Sequence, residues 1–381
     1  MRDLIVFGED FGGLPSSTQH LIKRLADDRQ VLWVNSIGLR QPKFTTRDLS
    51  RVWHKLCKPM RKPAAKSLQS QSTADCYAAS VHSNITQVDL LTLPAPSSQL
   101  ARDVARRMML MQLKPRIEQL GLNRPILWSS LPTAADLCHY IDHSGVVYYC
   151  GDDFSSLAGV DHDVVCRHEQ SLVENANLIL VASDQLKHKF PARKTHLLPH
   201  GVDSELFTNP TPRAADLPVG KGPIAGFYGS LSDWLDYDLI DYCAQALPDW
   251  NFVFIGPQCV DAQRLPQHDN IHYLGSRPHH MLPAYSQHWD VSMLPFLRNP
   301  QIDACNPLKL LEYLAAGQPI VSVDFPSLSP FRRYLHTAVT PDDFVHALQA
   351  AQTDERISPT AISGHSWNDR SLFLNWMLEL L

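Results

Sequence analysis

Short apolar runs, each closed by glycine or proline and followed by a stretch of helical period, recur along the chain. Leu4-Ile5-Val6-Phe7 comes first, followed by a loop Gly8-x-x-x-Gly12-Gly13, a helical segment from Pro15 to Ala26, and Val31-Leu32-Trp33-Val34. Runs this short and this apolar predict strands buried on both faces, and their alternation with a helix makes the opening a βαβ unit of a parallel sheet. The signal repeats at Ile126 to Trp128, Val146 to Tyr149, Leu178 to Val181 and Thr195 to Leu198. From Thr208 to Pro223 it lapses into Pro210, Pro212, Pro218, Gly220, Gly222 and Pro223, which reads as a linker. It resumes with Ile224 to Tyr228 before Gly229, Phe252 to Ile255 before Gly256, Ile271 to Leu274 before Gly275, Val291 to Leu294 before Pro295, and Ile320 to Val323. The pattern predicts an α/β protein of two Rossmann-like, doubly wound domains, residues 1–207 and 208–364, and a terminal helix within 365–381 starting near Trp367.

One helix has both ends written into it. Asn306 suits the N-cap, Pro307 the first helical position, and Gly317 before Pro319 a C-terminal stop. Leu308, Leu311, Leu314 and Ala315 fall at core spacing, whereas Lys309 and Glu312 share another face. That face has two readings. It is an ordinary lysine and glutamate pair in solvent, or it is an anion site, because a cation beside the free amides of a helix start suits phosphate and the carboxylate one turn on suits sugar hydroxyls.

Composition narrows the class. A chain of 381 residues with 19% charged and 44% hydrophobic residues is that of a folded protein of about two domains. No apolar run approaches the roughly 18 residues of a membrane span, and the start reads as a strand and not a signal peptide, so a cytoplasmic location is expected. The eight cysteines show no Cys-x-x-Cys spacing, and no histidine cluster has ligand spacing, so reduced thiols and no metal are expected. Residues 1–207 carry 24 Lys and Arg against 21 Asp and Glu, a balance of +3, which leaves −8 for residues 208–381 out of the total of −5. The excess comes from 40–66, where Arg40, Lys43, Arg47, Arg51, Lys55, Lys58, Arg61, Lys62 and Lys66 meet Asp48 alone. A second segment, Arg102 to Arg116, mixes Arg106, Arg107 and Lys114 with Met108, Met109 and Met111. Such segments either lie on an anionic membrane or lipid phosphate, or are solvated basic faces over a core stripe. Ala64 to Ser83, rich in Ser, Gln and Ala, reads as a mobile loop. Asp152 and Asp153 just past a strand either cap the next turn or act on a ligand at the carboxyl end of the sheet.

Leu198-Pro199-His200-Gly201-Val202-Asp203, the strand-ending glycines 229, 256 and 275, and Asn306-Pro307-x-Lys309-x-x-Glu312-Tyr313-Leu314-Ala315-Ala316-Gly317-x-Pro319 together resemble the family 4 type of GT-B glycosyltransferase. Trp33-Val34-Asn35, the run Tyr148 to Phe154 and Ser366-Trp367 resemble its branch near teichuronic-acid and exopolysaccharide glycosyltransferases. The resemblance implies two Rossmann-like domains facing across a cleft, with a last helix crossing back to the first domain. It implies transfer, with retention and without metal or cofactor, from a nucleoside diphosphate sugar to a cell-surface polysaccharide or lipid-linked glycan. By motif match it implies Glu312 for the ribose hydroxyls and the amides from Asn306 and Leu308 onward for the diphosphate, with Lys309 beside it. Arg277 falls in the base loop, Gly12 and Gly13 in a loop closing over the donor, and Gly229 and Gly256 beside it. Asp152 or Asp153 would orient the donor sugar or the acceptor hydroxyl. The chain departs from the pattern at Ala304, where a sugar-touching glutamate is frequent, and at Ser230 to Trp234, which lacks an Arg and Lys pair. Those departures keep open a non-catalytic scaffold in a polysaccharide assembly complex, and an epimerase is a third option. The missing Gly-x-Gly-x-x-Gly argues against an NAD enzyme.

Overall fold

A computed structural model describes residues 1–13, 16–36, 82–93, 98–155, 162–220 and 222–381. The basic stretch 40–66 and most of the Ser- and Gln-rich segment lie outside the described residues.

Thirteen strands among the described residues form two sheets. The first contains β1 (Leu4–Phe7), β2 (Val31–Val34), β3 (Ile85–Val88), β4 (Ile126–Ser129), β5 (Gly145–Cys150), β6 (Leu178–Val181) and β7 (Thr195–Leu197), in the order β3-β2-β1-β4-β5-β6-β7. The second contains β8 (Ile224–Tyr228), β9 (Asn251–Ile255), β10 (Ile271–Gly275), β11 (Val291–Leu294), β12 (Ile320–Val323) and β13 (His336–Ala338), in the order β10-β9-β8-β11-β12-β13. Pairing is parallel, as between β1 and β2, β1 and β4, β8 and β9, and β8 and β11. Each sheet reverses direction of growth beside its first strand, β1 or β8. Sheets of this kind hold ligands at the carboxyl ends of such strands.

The chain divides into two compact units, residues 1–149 with 154–179 and Leu381, and residues 150–153 with 180–380. Five longer helices matter below: α1 (Ser17–Leu25), α2 (Gln99–Gln119), α3 (His162–Asn175), α4 (Leu308–Ala316) and α5 (Trp367–Glu379).

In the first unit, β1, β2 and β4 are buried along their whole length, as unbroken Val, Ile, Leu and Trp runs require. The two tryptophans also satisfy their polar edges. Trp33 Nε1 donates to Glu9 O at 2.9 Å, fixing the loop beyond the neighbouring strand β1, and Trp128 Nε1 donates to Ser130 Oγ at 2.9 Å, fixing the residue just past its own strand. Gly12 takes a φ of +79° and donates to Gln19 Oε1 at 3.1 Å, while Gly13 N donates to Asp10 O at 3.1 Å. The glycine loop is thus tied to α1, which Ser16 caps.

One expectation is corrected at α4, and one of the two readings of its polar face is narrowed. Its N-cap is Pro307, with no side-chain cap, and Asn306 instead sends its amide to Ala182 O at 2.8 Å. The helix then opens with uncapped amides. Glu312 is not on a solvated face but is 4% exposed. The Gly317 stop is as expected, with φ +84°.

Candidate functional site

Strands β8, β9 and β10 end in line at three glycines. Gly229 N donates to Ile255 O at 2.8 Å and Gly256 N to Gly275 O at 3.0 Å, so the turns beyond the strands stack on one another. Gly229 has φ +142° and Gly256 φ +154°, a region closed to ordinary side chains. Space requires glycine as well. A methyl group on Gly256 would lie 1.9 Å from Gly229 O, and one on Gly229 would lie 2.2 Å from Lys309 Cε. The bare backbone at Gly229 is what lets the Lys309 stem lie against the strand end.

Lys309 occupies the first turn of α4, where the helix dipole disfavours a cation. Its ammonium lies 5.8 Å from the centre of the Phe227 ring and has no hydrogen-bond or ion-pair partner among the described residues. Burial lowers its pKa, against the opposing pull of Glu312 and Cys305. A half-buried ammonium beside uncapped amides is costly unless something negative joins it. The sequence brings together here three groups that read separately along the chain: the strand-end glycines, the helix start and the lysine.

Glu312 sits one turn further on. Tyr228 OH donates to its Oε2 at 2.7 Å, and His279 Nε2 lies 2.7 Å from its Oε1. Burial and the Glu312 charge push the Tyr228 hydroxyl well above its ordinary pKa, so it stays a donor. Burial would lower the His279 imidazole, but the hydrogen bond and charge of Glu312, with Asp203, outweigh it and raise the pKa. Arg277 is held nearby in sequence by Tyr285 OH at 2.9 Å and Asp216 Oδ2 at 2.5 Å, with Tyr285 OH donating to Asp216 Oδ1 at 2.8 Å. Hydrogen bonding to Asp216 raises the arginine further.

Asp152 and Asp153 differ. Asp153 pairs with Lys189 at 2.5 Å. Asp152 keeps solvent contact yet stands deep enough among protein atoms that desolvation raises its pKa. Its charge reaches Cys305, whose thiol burial pushes up to about 12. His200 is drawn down to about 4 by burial, then by Arg370 and Lys309. Ala304, the departure from the family pattern, is buried and accepts Ser183 Oγ through its carbonyl at 2.6 Å; the adjacent Asp303 has a buried oxygen without a partner. Asn306 and His200 also border a cavity of about 660 Å³ that Ser329, Phe331, His365 and Arg370 line. Gly12 and Gly13 belong to the first unit.

Sequence reading missed Tyr228, His279 and Asp216. In the sequence Tyr228 is only the end of an apolar run. His279 belongs to the single adjacent histidine pair, His279-His280, which carried no ligand spacing.

Residues 222–354 match the family described as glycosyl transferases group 1. The chain is 28% identical over 298 residues to TuaH of Bacillus subtilis (strain 168), a candidate teichuronic acid biosynthesis glycosyltransferase, covering 71% of this chain and 75% of that one. Among solved structures it resembles Anabaena HepE in complex with UDP and glucose, at TM-score 0.66 and 12% identity over 100% of both chains. It also resembles trehalose-6-phosphate synthase, studied for glycosyl transfer with retention, at TM-score 0.63 and 14% identity over 99% of both chains. The fold is therefore the GT-B pair of Rossmann-like sheets.

Proposed function

We propose that this chain, whose second unit carries a group 1 glycosyltransferase domain, transfers a sugar from a nucleoside diphosphate to a glycan acceptor of a cell-surface polysaccharide, with retention and without metal. The observation that carries the reading is the unpaired Lys309 ammonium among uncapped amides and glycine turns, one helical turn from the buried Glu312. A diphosphate supplies the charge that Lys309 lacks, and the nucleoside ribose reaches Glu312. In the reaction the bond from the anomeric carbon to the β-phosphate oxygen breaks, the acceptor oxygen bonds to that carbon, and the acceptor proton leaves with the diphosphate. Lys309 and the α4 amides stabilise charge building on the leaving diphosphate. Asp152, with its raised pKa, is the better placed of the two acids to orient a hydroxyl, because Asp153 is held by Lys189.

The likeness to TuaH supports a polysaccharide acceptor, and α2 supports the reading of a membrane-side location. Its exposed stripe of Leu100, Val104, Arg107, Met111 and Lys114 interleaves apolar and cationic side chains, with the acid Glu118 at its end.

The test is a thermal-shift and kinetic comparison of nucleoside diphosphates and their sugar conjugates on wild type, Glu312→Ala and Lys309→Ala. A ligand of the folded state raises Tm by mass action. Glu312→Ala is expected to weaken nucleotide binding at least about tenfold, and Lys309→Ala to slow turnover about a hundredfold with a smaller effect on KM. Absence of a shift with every nucleotide would favour the non-catalytic scaffold, for which Ala304 and the lack of an Arg and Lys pair after Gly229 speak.

A further inference from the structure

Glu312 is a carboxylate almost without solvent, and each of its oxygens already has one protein donor: Tyr228 OH on Oε2 and His279 on Oε1, both at 2.7 Å. A carboxylate only accepts, so Nε2 of His279 carries the hydrogen. The His279 ring is itself steadied edge-on against Phe207, with centroids 5.4 Å apart at 65°. A carboxylate offers about four lone-pair sites, and two are taken, one on each oxygen. What remains is one acceptor site per oxygen on a plane clamped from both sides. That arrangement suits two neighbouring hydroxyls better than one.

We propose that His279 is a positioning residue that fixes the Glu312 carboxylate plane for a vicinal diol, and thereby sets discrimination between ribose and 2′-deoxyribose in the bound nucleotide. The inference rests on the reading of Glu312 as the group that meets the nucleoside sugar. Without His279, the carboxylate keeps Tyr228 on one oxygen only and is free to rotate about that bond, so it holds one hydroxyl as well as two. A lysine or arginine in place of His279 would neutralise the carboxylate permanently. An imidazole donates whether or not it is charged, so Glu312 keeps its acceptor strength once the ring is neutral. Among the described residues, Asp203 acts on His279, and Tyr228, Tyr313 and Lys309 act on Glu312.

The experiment measures Kd by calorimetry for UDP, GDP and ADP and for the 2′-deoxy form of each base that binds, on wild type, His279→Ala, His279→Gln and Glu312→Ala. Wild type is expected to prefer the ribonucleotide about tenfold to a hundredfold. His279→Ala should cut that ratio to a few-fold by weakening the ribonucleotide, with the 2′-deoxy Kd nearly unchanged. His279→Gln, which keeps a donor, should restore most of the ratio, a rescue that a packing role does not produce. His279→Ala weakening both nucleotides equally, or keeping the ratio, overturns the inference if Glu312→Ala abolishes the ratio. Should Glu312→Ala keep the full ratio, or no nucleotide bind wild type, the reading of the site falls first and the inference falls with it.

Discussion

A methyl group at position 229 tests the candidate site without removing any charge. Gly229→Ala forces a residue with a side chain into φ +142° and pushes the Lys309 stem from its place against the strand end. Nucleoside diphosphate affinity is expected to fall about tenfold by calorimetry, with Tm lowered by a few degrees. An unchanged Kd would mean that Lys309 does not reach the ligand from that position. The residue scale is also where sequence reading was least complete. Helical periodicity places Glu312 with Lys309 on a polar face, and both are on α4, but periodicity does not see that Tyr228 and His279, 84 and 33 positions away, make the burial of a carboxylate tolerable. Asn306 is a good cap by local rules, yet its amide is claimed by Ala182 O, 124 positions away. Non-local partners of this kind leave no trace in spacing.

At the level of elements, the legible ones were those buried on both faces. β1, β2 and β6 are unbroken apolar runs, β4 and β8 are interrupted only by Ser129 and Gly226, and all five read directly as strands. β3, Ile-Thr-Gln-Val, and β13, His-Thr-Ala, escaped because each is an edge strand of its sheet and half exposed, so neither needs an apolar run. The sequence of α2 mixes basic residues with methionines that either pack or face lipid, and the structure divides them: Met109 is buried and Met111 is 70% exposed. Leu91 and Leu93, also exposed, lie on a segment fastened along α2 by Gln112, which bonds Leu91 N at 3.0 Å and Leu91 O at 2.8 Å. Among the described residues of the first unit, five of the seven exposed large apolar ones, Leu91, Leu93, Leu100, Val104 and Met111, thus belong to α2 or its neighbour. Vesicles containing anionic lipid are expected to sediment the protein at low salt, and neutral vesicles to leave it in the supernatant. Leu100→Glu with Met111→Glu should reduce the sedimented fraction severalfold without altering Tm; equal sedimentation of the variant would remove α2 from the contact.

For the whole molecule, two histidines pull stability in opposite directions with pH. His200 titrates near 4 in the folded chain and near 6.5 unfolded, so its contribution is present above about pH 6.5 and lost as pH falls towards about 4. His279 is raised, so its contribution is complete below about pH 6.5 and lost as pH climbs through its folded value. Thermal melts from pH 4 to 8 should show a maximum between these limbs, with His200→Asn flattening the acid limb and His279→Gln the other; identical profiles for the variants would exclude both assignments. The sheet order has a further consequence, for the chain while it is being made. β1 is synthesised first but lies in the middle of its sheet, and its second neighbour begins at Ile126, 119 residues after Phe7. At ribosomal rates of about 5 to 20 residues per second, one edge of β1 stays open for about 6 to 24 s. During that interval the nascent chain presents an unpaired apolar strand to its neighbours on the same message, so sparse ribosome loading or a co-translational chaperone is what favours closure of this first sheet on itself.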